Sequence, residues 1–256
     1  METLSNIKLV VEYDGSQYAG WQRQVGQMSV QQRLEEAVLL VTGNTVPVIG
    51  ASRTDAGVHA AGQTANVRLV TRIPAERFAY ALNNRLPPDI RVKSSQAVPL
   101  DFHAQYNARR KQYTYQVYQH PQGSALLLNR CWMVRETLDV QAMQQCATLF
   151  IGAHDFSAFR AAGGQAKTTR RELYRSQWEA HPQGEGLLLT YTVEGNGFLY
   201  NMVRIMVGTM VAVGRGKMNA ADIDALMAAK DRRRMGQTAP PQGLCLQRIW
   251  YNGDVE

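Results

Sequence analysis

Residues 7–42 read IKLVVEYDGSQYAGWQRQVGQMSVQQRLEEAVLLVT, and this stretch decides the fold class. It begins with IKLVVEY, a run rich in β-branched and apolar residues that ends at the turn pair Asp14-Gly15, and this pattern predicts a strand. Ser29 and Gln32 form a capping-box pattern at the start of the next segment. The apolar residues that follow at helical spacing are Val30, Leu34, Ala37, Val38 and Val41. A strand followed by an amphipathic helix therefore opens the chain.

The rest of the chain alternates in the same way. Strands are predicted near 45–51, 62–70 and 90–98, with a helix that begins at Pro74. A second half follows, with strands near 111–119, 171–180, 186–194 and 244–251 and with helices near 139–151, 198–213 and 219–229. This order favours an α+β fold with an antiparallel sheet over a doubly wound α/β fold. The two similar halves are predicted at residues 1–105 and 106–256.

Composition points to a soluble protein with an anionic partner. The 256 residues include 28 Lys plus Arg and 21 Asp plus Glu, a net charge of +7 that favours nucleic acid or another anionic surface. The three cysteines lie far apart, which suits a reducing cytoplasm. The first residues lack the apolar core of a signal peptide, and the longest apolar stretch, 198–214, is interrupted by Arg204 and is too short to span a membrane. We therefore expect a cytoplasmic protein without a membrane segment.

Metal and nucleotide cofactors find no support in the sequence. The five histidines never stand three or four residues apart, and none is next to a cysteine in a zinc-binding pattern. No phosphate-binding glycine loop is present either. We therefore expect no metal and no cofactor.

Basic residues form three clusters, at 109–111, at 167–175 and at 232–234. Such clusters are most often solvated surface. The first cluster, however, runs into a strand that carries Tyr113, Tyr115 and Tyr118. Since unpaired RNA is held by base stacking next to phosphate contacts, this combination favours an RNA-binding protein.

The segment that carries the chemistry is ASRTDAGVHA, residues 51–60. Taken alone, Asp55-Ala56-Gly57 is an ordinary turn. The run from Arg53 to Ala60, however, resembles the active-site signature of the TruA-type pseudouridine synthases. Further segments resemble the same family in the same order: EYDGS at 12–16, GWQR at 20–23, DFHA at 101–104, Tyr113 and Tyr115, HDFSAFR at 154–160, residues 196–208, and PPQGL at 240–244. The resemblance covers almost the whole chain.

The resemblance implies the isomerisation of uridine to pseudouridine with Asp55 as the catalytic nucleophile. Asp55 would either attack C1′ or remove a proton from the sugar. The resemblance also implies that Arg204 is the cation that keeps the Asp55 carboxylate charged, and that Tyr113 contacts the substrate base. Arg53 is the candidate for displacing the flipped base.

The family fold is a pair of ferredoxin-like halves with joined antiparallel or mixed sheets and a central catalytic cleft. By this resemblance the first half carries the Asp55 loop and the second carries Tyr113 and the Arg204 helix. It also implies a homodimer that modifies positions 38, 39 and 40 in the anticodon stem-loop of tRNA. The alternative is a non-catalytic tRNA-binding or chaperone protein on the same scaffold, which would not need Asp55, Tyr113 and Arg204 together.

The sequence departs from the family pattern at two positions. Ser52 stands where the family usually has glycine, and Cys245 stands where tyrosine is common. Because serine tolerates a positive φ less well than glycine, we expect at most a modest shift where the chain enters the Asp55 loop.

Overall fold

A computed structural model describes residues 3–254 and shows an α+β protein with mixed sheets and few helices. The chain divides into two compact units. The first contains Met1–Arg109 and Cys245–Glu256, and the second contains Arg110–Leu244.

The first unit consists of strands β1 (Thr3–Tyr13), β2 (Val48–Gly50), β3 (His59–Thr71) and β4 (Ile90–Val98), with helices α1 (Val30–Thr42) and α2 (Ala75–Asn83). Strand β1 lies between β4 and β3 and is antiparallel to both. Strand β2 pairs with β3 in antiparallel orientation, and β10 (Leu244–Trp250) runs parallel to the start of β3. The loop between β2 and β3 contains Asp55.

Helix α1 shows how local sequence sets these elements. The Ser29 side chain accepts a hydrogen bond from the Gln32 N–H at 3.3 Å, so the predicted cap is confirmed. The Gln32 side chain donates to Glu36 rather than closing the capping box. Val30, Leu34 and Val38 are fully buried. Burial of side chains of this size contributes about 1.5–3 kcal/mol each, which fixes the helix on the sheet.

The second unit consists of strands β5 (Arg110–Gln119), β6 (Trp132–Val134), β7 (Gly152–Asp155), β8 (Arg170–Gln183) and β9 (Gly186–Gly195), with helices α3 (Val140–Thr148), α4 (Met202–Gly214) and α5 (Ile223–Ala228). The strands lie in the order β5-β9-β8-β7, all antiparallel, and β6 runs parallel to β5. Asp139 caps α3 as predicted, since its side chain accepts from the Ala142 N–H at 2.9 Å.

Helix α4 differs from its sequence prediction at its start. The apolar pattern predicts a helix from residue 198, but α4 begins at Met202 because Asn201 adopts a left-handed conformation with φ of 60°. The helix is also buried on nearly all sides rather than along one stripe, since eleven of its thirteen residues are buried. Short strands β6 and β7 were not predicted. Within residues 3–254, no helix has the length and apolar character needed to cross a membrane.

Candidate active site

The Asp55 loop, residues 51–58, joins β2 to β3 in the first unit. The Val58 N–H donates to the Asp55 carbonyl at 3.1 Å, and Gly57 takes a φ of +77°. These two features form a tight turn directly after Asp55, whose side chain is half-buried. Arg53, two residues earlier, is exposed. The turn that the sequence predicts is therefore present.

A segment after β1, residues 14–21, holds the Asp55 loop from outside. Gly20, with φ of +95°, lies so close that an added Cβ would be 2.5 Å from the Thr54 carbonyl oxygen and 3.0 Å from the Asp55 carbonyl carbon. Gly15 lies even closer to the Val58 carbonyl, with which an added Cβ would overlap. Any larger residue at these two positions would displace the loop, which explains why the sequence has glycine there.

Hydrogen bonds also hold residues 14–21 against the Asp55 loop. The Trp21 N–H donates to the Thr54 carbonyl at 3.1 Å, and the Gly57 N–H donates to the Tyr18 carbonyl at 3.2 Å. The Thr54 hydroxyl shares a buried 2.7 Å hydrogen bond with the Tyr13 hydroxyl. Because the loop is restrained on both sides of Asp55, the backbone that carries this carboxylate is fixed.

His59, at the start of β3, completes the framework and is a residue that the sequence reasoning did not single out. Its ring is buried, and Nδ1 accepts the Gly15 N–H at 3.0 Å while lying 3.2 Å from Asp14 Oδ1. The only signal for this role in the sequence was the position of His59 inside the motif.

The two departures from the family pattern lie next to this framework. The structure assigns no positive φ to Ser52, and its carbonyl accepts from the Gln63 amide at 2.6 Å. Position 52 therefore does not require the positive φ that favours glycine. The backbone conformation gives no reason for the shift expected where the chain enters the Asp55 loop. Cys245 is half-buried in β10, opposite His59 in the strand register.

A cleft of about 180 Å³ opens beside the loop in the first unit. Arg53 lines it together with Gln22, Gln31, Gly50 and Gln105. The Trp21 ring packs on Gly50, where an added Cβ would overlap with the indole. The cleft is polar and lies at the entry to the Asp55 loop.

Tyr113 lies in the second unit, on β5. It is 6% exposed, and Phe198 packs edge-on against its ring with a centroid distance of 5.2 Å and an interplanar angle of 85°. Tyr115 lies on the same face and donates its hydroxyl to the Pro240 carbonyl at 2.7 Å. Burial raises the pKa of the Tyr115 hydroxyl well above its ordinary value, and the charge of Arg204 opposes this shift. Tyr115 therefore has a structural role, as the sequence reasoning allowed.

Arg204 lies on the first turn of α4, and its guanidinium forms hydrogen bonds with residues of the second unit. Its Nε donates to the Ala239 carbonyl at 2.7 Å and its Nη1 to the Asn201 side chain at 2.8 Å. One turn further along α4, Gly208 lies so close to the Gln237 carbonyl that an added Cβ would overlap with it. The close backbone approach predicted at Gly208 is confirmed. The predicted site residues are thus Asp55 and Arg53 in the first unit and Tyr113 and Arg204 in the second.

Metal ligands are not clustered in the part of the chain that the structure describes, where no group of three or more His, Cys, Asp and Glu side chains is arranged to hold an ion. The residues described above offer one carboxylate on a restrained turn and, on β5 of the second unit, tyrosines next to arginine and lysine. An α+β protein with these features fits the class of RNA-modifying enzymes.

Comparison with known proteins narrows this class. A family model described as tRNA pseudouridine synthase matches residues 9–107 and 146–252. A protein of Acetivibrio thermocellus named tRNA pseudouridine synthase A is 47% identical over 97% of this chain and all of its own length. Proteins of the same name from Ruminiclostridium cellulolyticum and Syntrophotalea carbinolica are 46% and 43% identical over 97% of this chain, and the matches span 100% and 97% of those proteins. The chain belongs to the tRNA pseudouridine synthase family.

Proposed function

We propose that this protein is a tRNA pseudouridine synthase, an isomerase that converts uridine to pseudouridine at positions 38, 39 and 40 of the anticodon stem-loop. The observation that carries the proposal is the family match over nearly the whole chain, within which the Arg53-Thr54-Asp55 motif lies on a rigid turn. The net charge of +7 suits an RNA substrate.

In the proposed reaction the N1–C1′ bond of uridine breaks, the uracil turns over, and C5 joins C1′. The C5 hydrogen then leaves as a proton and N1 gains a proton, so the product is an isomer of uridine. Asp55 acts as the nucleophile at C1′ or, in the alternative route, removes a proton from the sugar. One carboxylate is sufficient in either route because the uracil stays in the site and leaves the sugar as a delocalised anion. No metal and no cofactor takes part.

Arg204 is proposed as the partner that keeps Asp55 charged. Removal of water from a carboxylate raises its pKa, and a nearby guanidinium opposes this effect because it stays protonated. The hydrogen bonds to Ala239 and Asn201 support the proposal, since they fix the guanidinium in one orientation. Replacing Arg204 with methionine is expected to remove nearly all turnover, whereas lysine should retain part of it with an altered pH profile. Wild-type rates in the methionine variant would refute the pairing.

Tyr113 and Arg53 are proposed to handle the base. The Tyr113 ring stacks on the uracil, and Phe198 supports this ring from its edge. Arg53 occupies the place of the target base after the nucleotide is flipped out of the stem-loop. Its exposure beside the polar cleft supports this role.

We further propose the family architecture of two ferredoxin-like halves, 1–105 and 106–256, with joined sheets, a central catalytic cleft and a homodimeric assembly in the cytoplasm. The first unit supports the ferredoxin-like assignment because its elements follow the order β-α-β-β-α-β. In the second unit β5, α3, β8, β9 and α4 follow one another in the same way, and the sheet order β5-β9-β8 corresponds to β1-β3-β2. Light scattering of the pure protein tests the dimer, and a monomeric mass would refute it.

The experiment that tests the function is tritium release from tRNA transcripts labelled at C5 of uridine, followed by mapping of pseudouridine. The substrate is folded beforehand and the assay contains EDTA and no nucleotide. Tritium release with pseudouridine at positions 38–40 is the expected result. Binding of tRNA without any release would favour the non-catalytic chaperone, and activity that returns only with an added metal would contradict the cofactor-free mechanism.

A further inference from the structure

The loop of residues 99–107, which follows β4 in the first unit, is anchored on the sheet by two buried amides. The Asn6 side chain of β1 donates to two carbonyls of the loop, both at 2.9 Å. The Asn66 side chain of β3 accepts the Ala104 N–H at 2.9 Å and donates to Asn6 at 2.9 Å. Since buried amides that are hydrogen-bonded in this way fix a segment in place, the 99–107 loop is a rigid support.

Tyr106 presents an aromatic ring on this support. The residue is 76% exposed, and its ring stacks on His103 with a centroid distance of 4.1 Å and an interplanar angle of 24°. The His103 ring is itself held, because its Nδ1 accepts the N–H groups of Gln105 and Tyr106 at 3.2 and 3.3 Å. One face of the Tyr106 ring therefore lies on a fixed partner, and the opposite face is open to a second flat ring.

An exposed guanidinium lies next to this ring pair. Arg68, on β3, donates from Nη2 to the Phe102 carbonyl at 3.3 Å. Burial and the charge of Arg68 lower the pKa of His103 below its ordinary value, so the His103 ring is uncharged at pH 7. Neither Asp101, the carboxylate of the loop, nor another Asp or Glu among residues 3–254 forms an ion pair with Arg68. An aromatic stack next to an exposed cation is typical of sites that hold unpaired RNA.

The 99–107 loop borders the cleft at the entry to the Asp55 loop. Gln105, the residue before Tyr106, lines this cleft together with Arg53 and Gln22. Because consecutive Cα atoms are about 3.8 Å apart, Tyr106 lies at the rim of the cleft. A nucleotide held on Tyr106 is therefore close to the loop that carries the proposed nucleophile, within the same unit.

We infer that the open face of Tyr106 is a stacking site for one unpaired base of the anticodon loop, and that Arg68 contacts a phosphate of the same RNA. The inference rests on the proposed function. An aromatic ring stacks on any base, but the face of a base is available only where the base is unpaired. The anticodon loop provides unpaired bases next to the proposed target positions. The base held here is a neighbour of the target, since the target itself is proposed to stack on Tyr113.

Equilibrium binding to an anticodon stem-loop RNA tests the site without interference from turnover when the target uridines are replaced by cytidine. Tyr106→Leu should weaken binding about 5- to 100-fold, as expected for the loss of one stacked base, whereas Tyr106→Phe should bind within about threefold of the wild type. The matched control is Tyr80→Leu on α2, because Tyr80 is 71% exposed and has no ring stacked on it among the described residues. This control should bind as the wild type does. Equal losses in Tyr106→Phe and Tyr106→Leu, or in Tyr106→Leu and Tyr80→Leu, would overturn the inference.

Abasic nucleotides identify the base itself. Placed one at a time in the loop of the RNA, they should weaken wild-type binding most at one unpaired position, and Tyr106→Leu should be insensitive at that same position. Losses that add to the effect of Tyr106→Leu at every position would mean that Tyr106 stacks on no base of the anticodon loop, and they would overturn the inference.

The salt dependence of binding gives a separate readout for Arg68. Arg68→Met should weaken binding and reduce the slope of log K against log salt by about one, since one phosphate contact is lost. Tyr106→Leu should leave this slope unchanged, because stacking releases no counterions. Arg77→Met, on the exposed side of α2, removes the same charge elsewhere in the unit and should also leave the slope unchanged. A wild-type slope in Arg68→Met would overturn the role of Arg68.

Light scattering separates an RNA site from a contact between two copies of the chain. The wild type and Tyr106→Leu should have the same mass at the concentration of the binding assay, and a lower mass in the variant would place Tyr106 in a subunit interface and overturn the inference. Pseudouridine formation is measured separately. A wild-type protein that binds as predicted but shows no turnover would refute the proposed function and leave the stacking site standing, whereas turnover together with unchanged binding by Tyr106→Leu would overturn the stacking site alone.

Discussion

The position of the Asp55 backbone depends on the residues next to it in the chain and on those that pack against its loop. Thr54 is held through its carbonyl and its hydroxyl, and the turn at Gly57 follows immediately, so the carboxylate between them has a fixed backbone. The sequence motif singles out Asp55, whose role as the nucleophile stays a prediction. It was not sufficient to explain Gly15 and Gly20, because their contacts with the loop form only when β1 and β3 pair.

Tyr113 provides a prediction at the scale of one residue. If stacking on the base is its main role, Tyr113→Phe should keep most of the activity, whereas Tyr113→Leu should lose about 1–3 kcal/mol of binding to the reacting nucleotide. The loss should be visible in kcat/KM for a tRNA substrate. Failure of both variants with unchanged stability would instead assign proton transfer to the hydroxyl.

Tyr115→Phe is the matched control for this experiment. Tyr115 shares the face of β5, but its hydroxyl donates to Pro240. Its removal should lower the free energy of unfolding by about 1 kcal/mol and leave kcat/KM near the wild-type value. If Tyr113→Phe and Tyr113→Leu both keep near-wild-type activity, Tyr113 is not part of the active site.

Helix α4 shows what can and cannot be predicted about an element. The apolar spacing predicted a helix and the small residue at 208 predicted a close approach, and both are correct. The start was wrong, because residues 198–201 continue the apolar pattern while Asn201 breaks the helix by its left-handed backbone. Strands β6 and β7 have only three and four residues, which is too short for an alternating pattern to be recognised.

The prediction for helix α4 concerns the replacement of Gly208 by alanine. Alanine is the better helix former by about 1 kcal/mol, but its Cβ at position 208 would overlap with the Gln237 carbonyl. Since backbone cannot move aside cheaply, we expect Gly208→Ala to lower the free energy of unfolding by about 1–3 kcal/mol. Urea denaturation measures this change.

Gly214→Ala, in the same helix, serves as the control. Its added Cβ would be 2.7 Å from Met143 Sδ, the end of a flexible side chain that can move. The cost at position 214 should therefore be clearly smaller than at position 208. Equal costs would show that the approach of residues 236–239 does not limit the space at Gly208.

At the scale of the whole molecule, each of the two units supplies part of the proposed chemistry. The first contains the Asp55 loop and the cleft lined by Arg53, and the second contains Tyr113 and Arg204. The sequence predicted the α+β class and the basic character of the protein. It could not show that Arg110 lies 3.5 Å from Glu194, because that contact depends on the pairing of β5 with β9.

The most direct test of the account is the rate of tritium release from C5-labelled tRNA by Asp55→Asn, measured beside its affinity for tRNA. Asparagine keeps the shape of the side chain but can neither attack C1′ nor accept a proton from the sugar. The exposed Glu76→Gln provides the same change of carboxylate to amide away from the loop, and it should retain wild-type release. The account predicts that Asp55→Asn binds tRNA nearly as tightly as the wild type and releases no tritium above background. Turnover by Asp55→Asn well above this background would contradict it, because the reaction would then not depend on the Asp55 carboxylate.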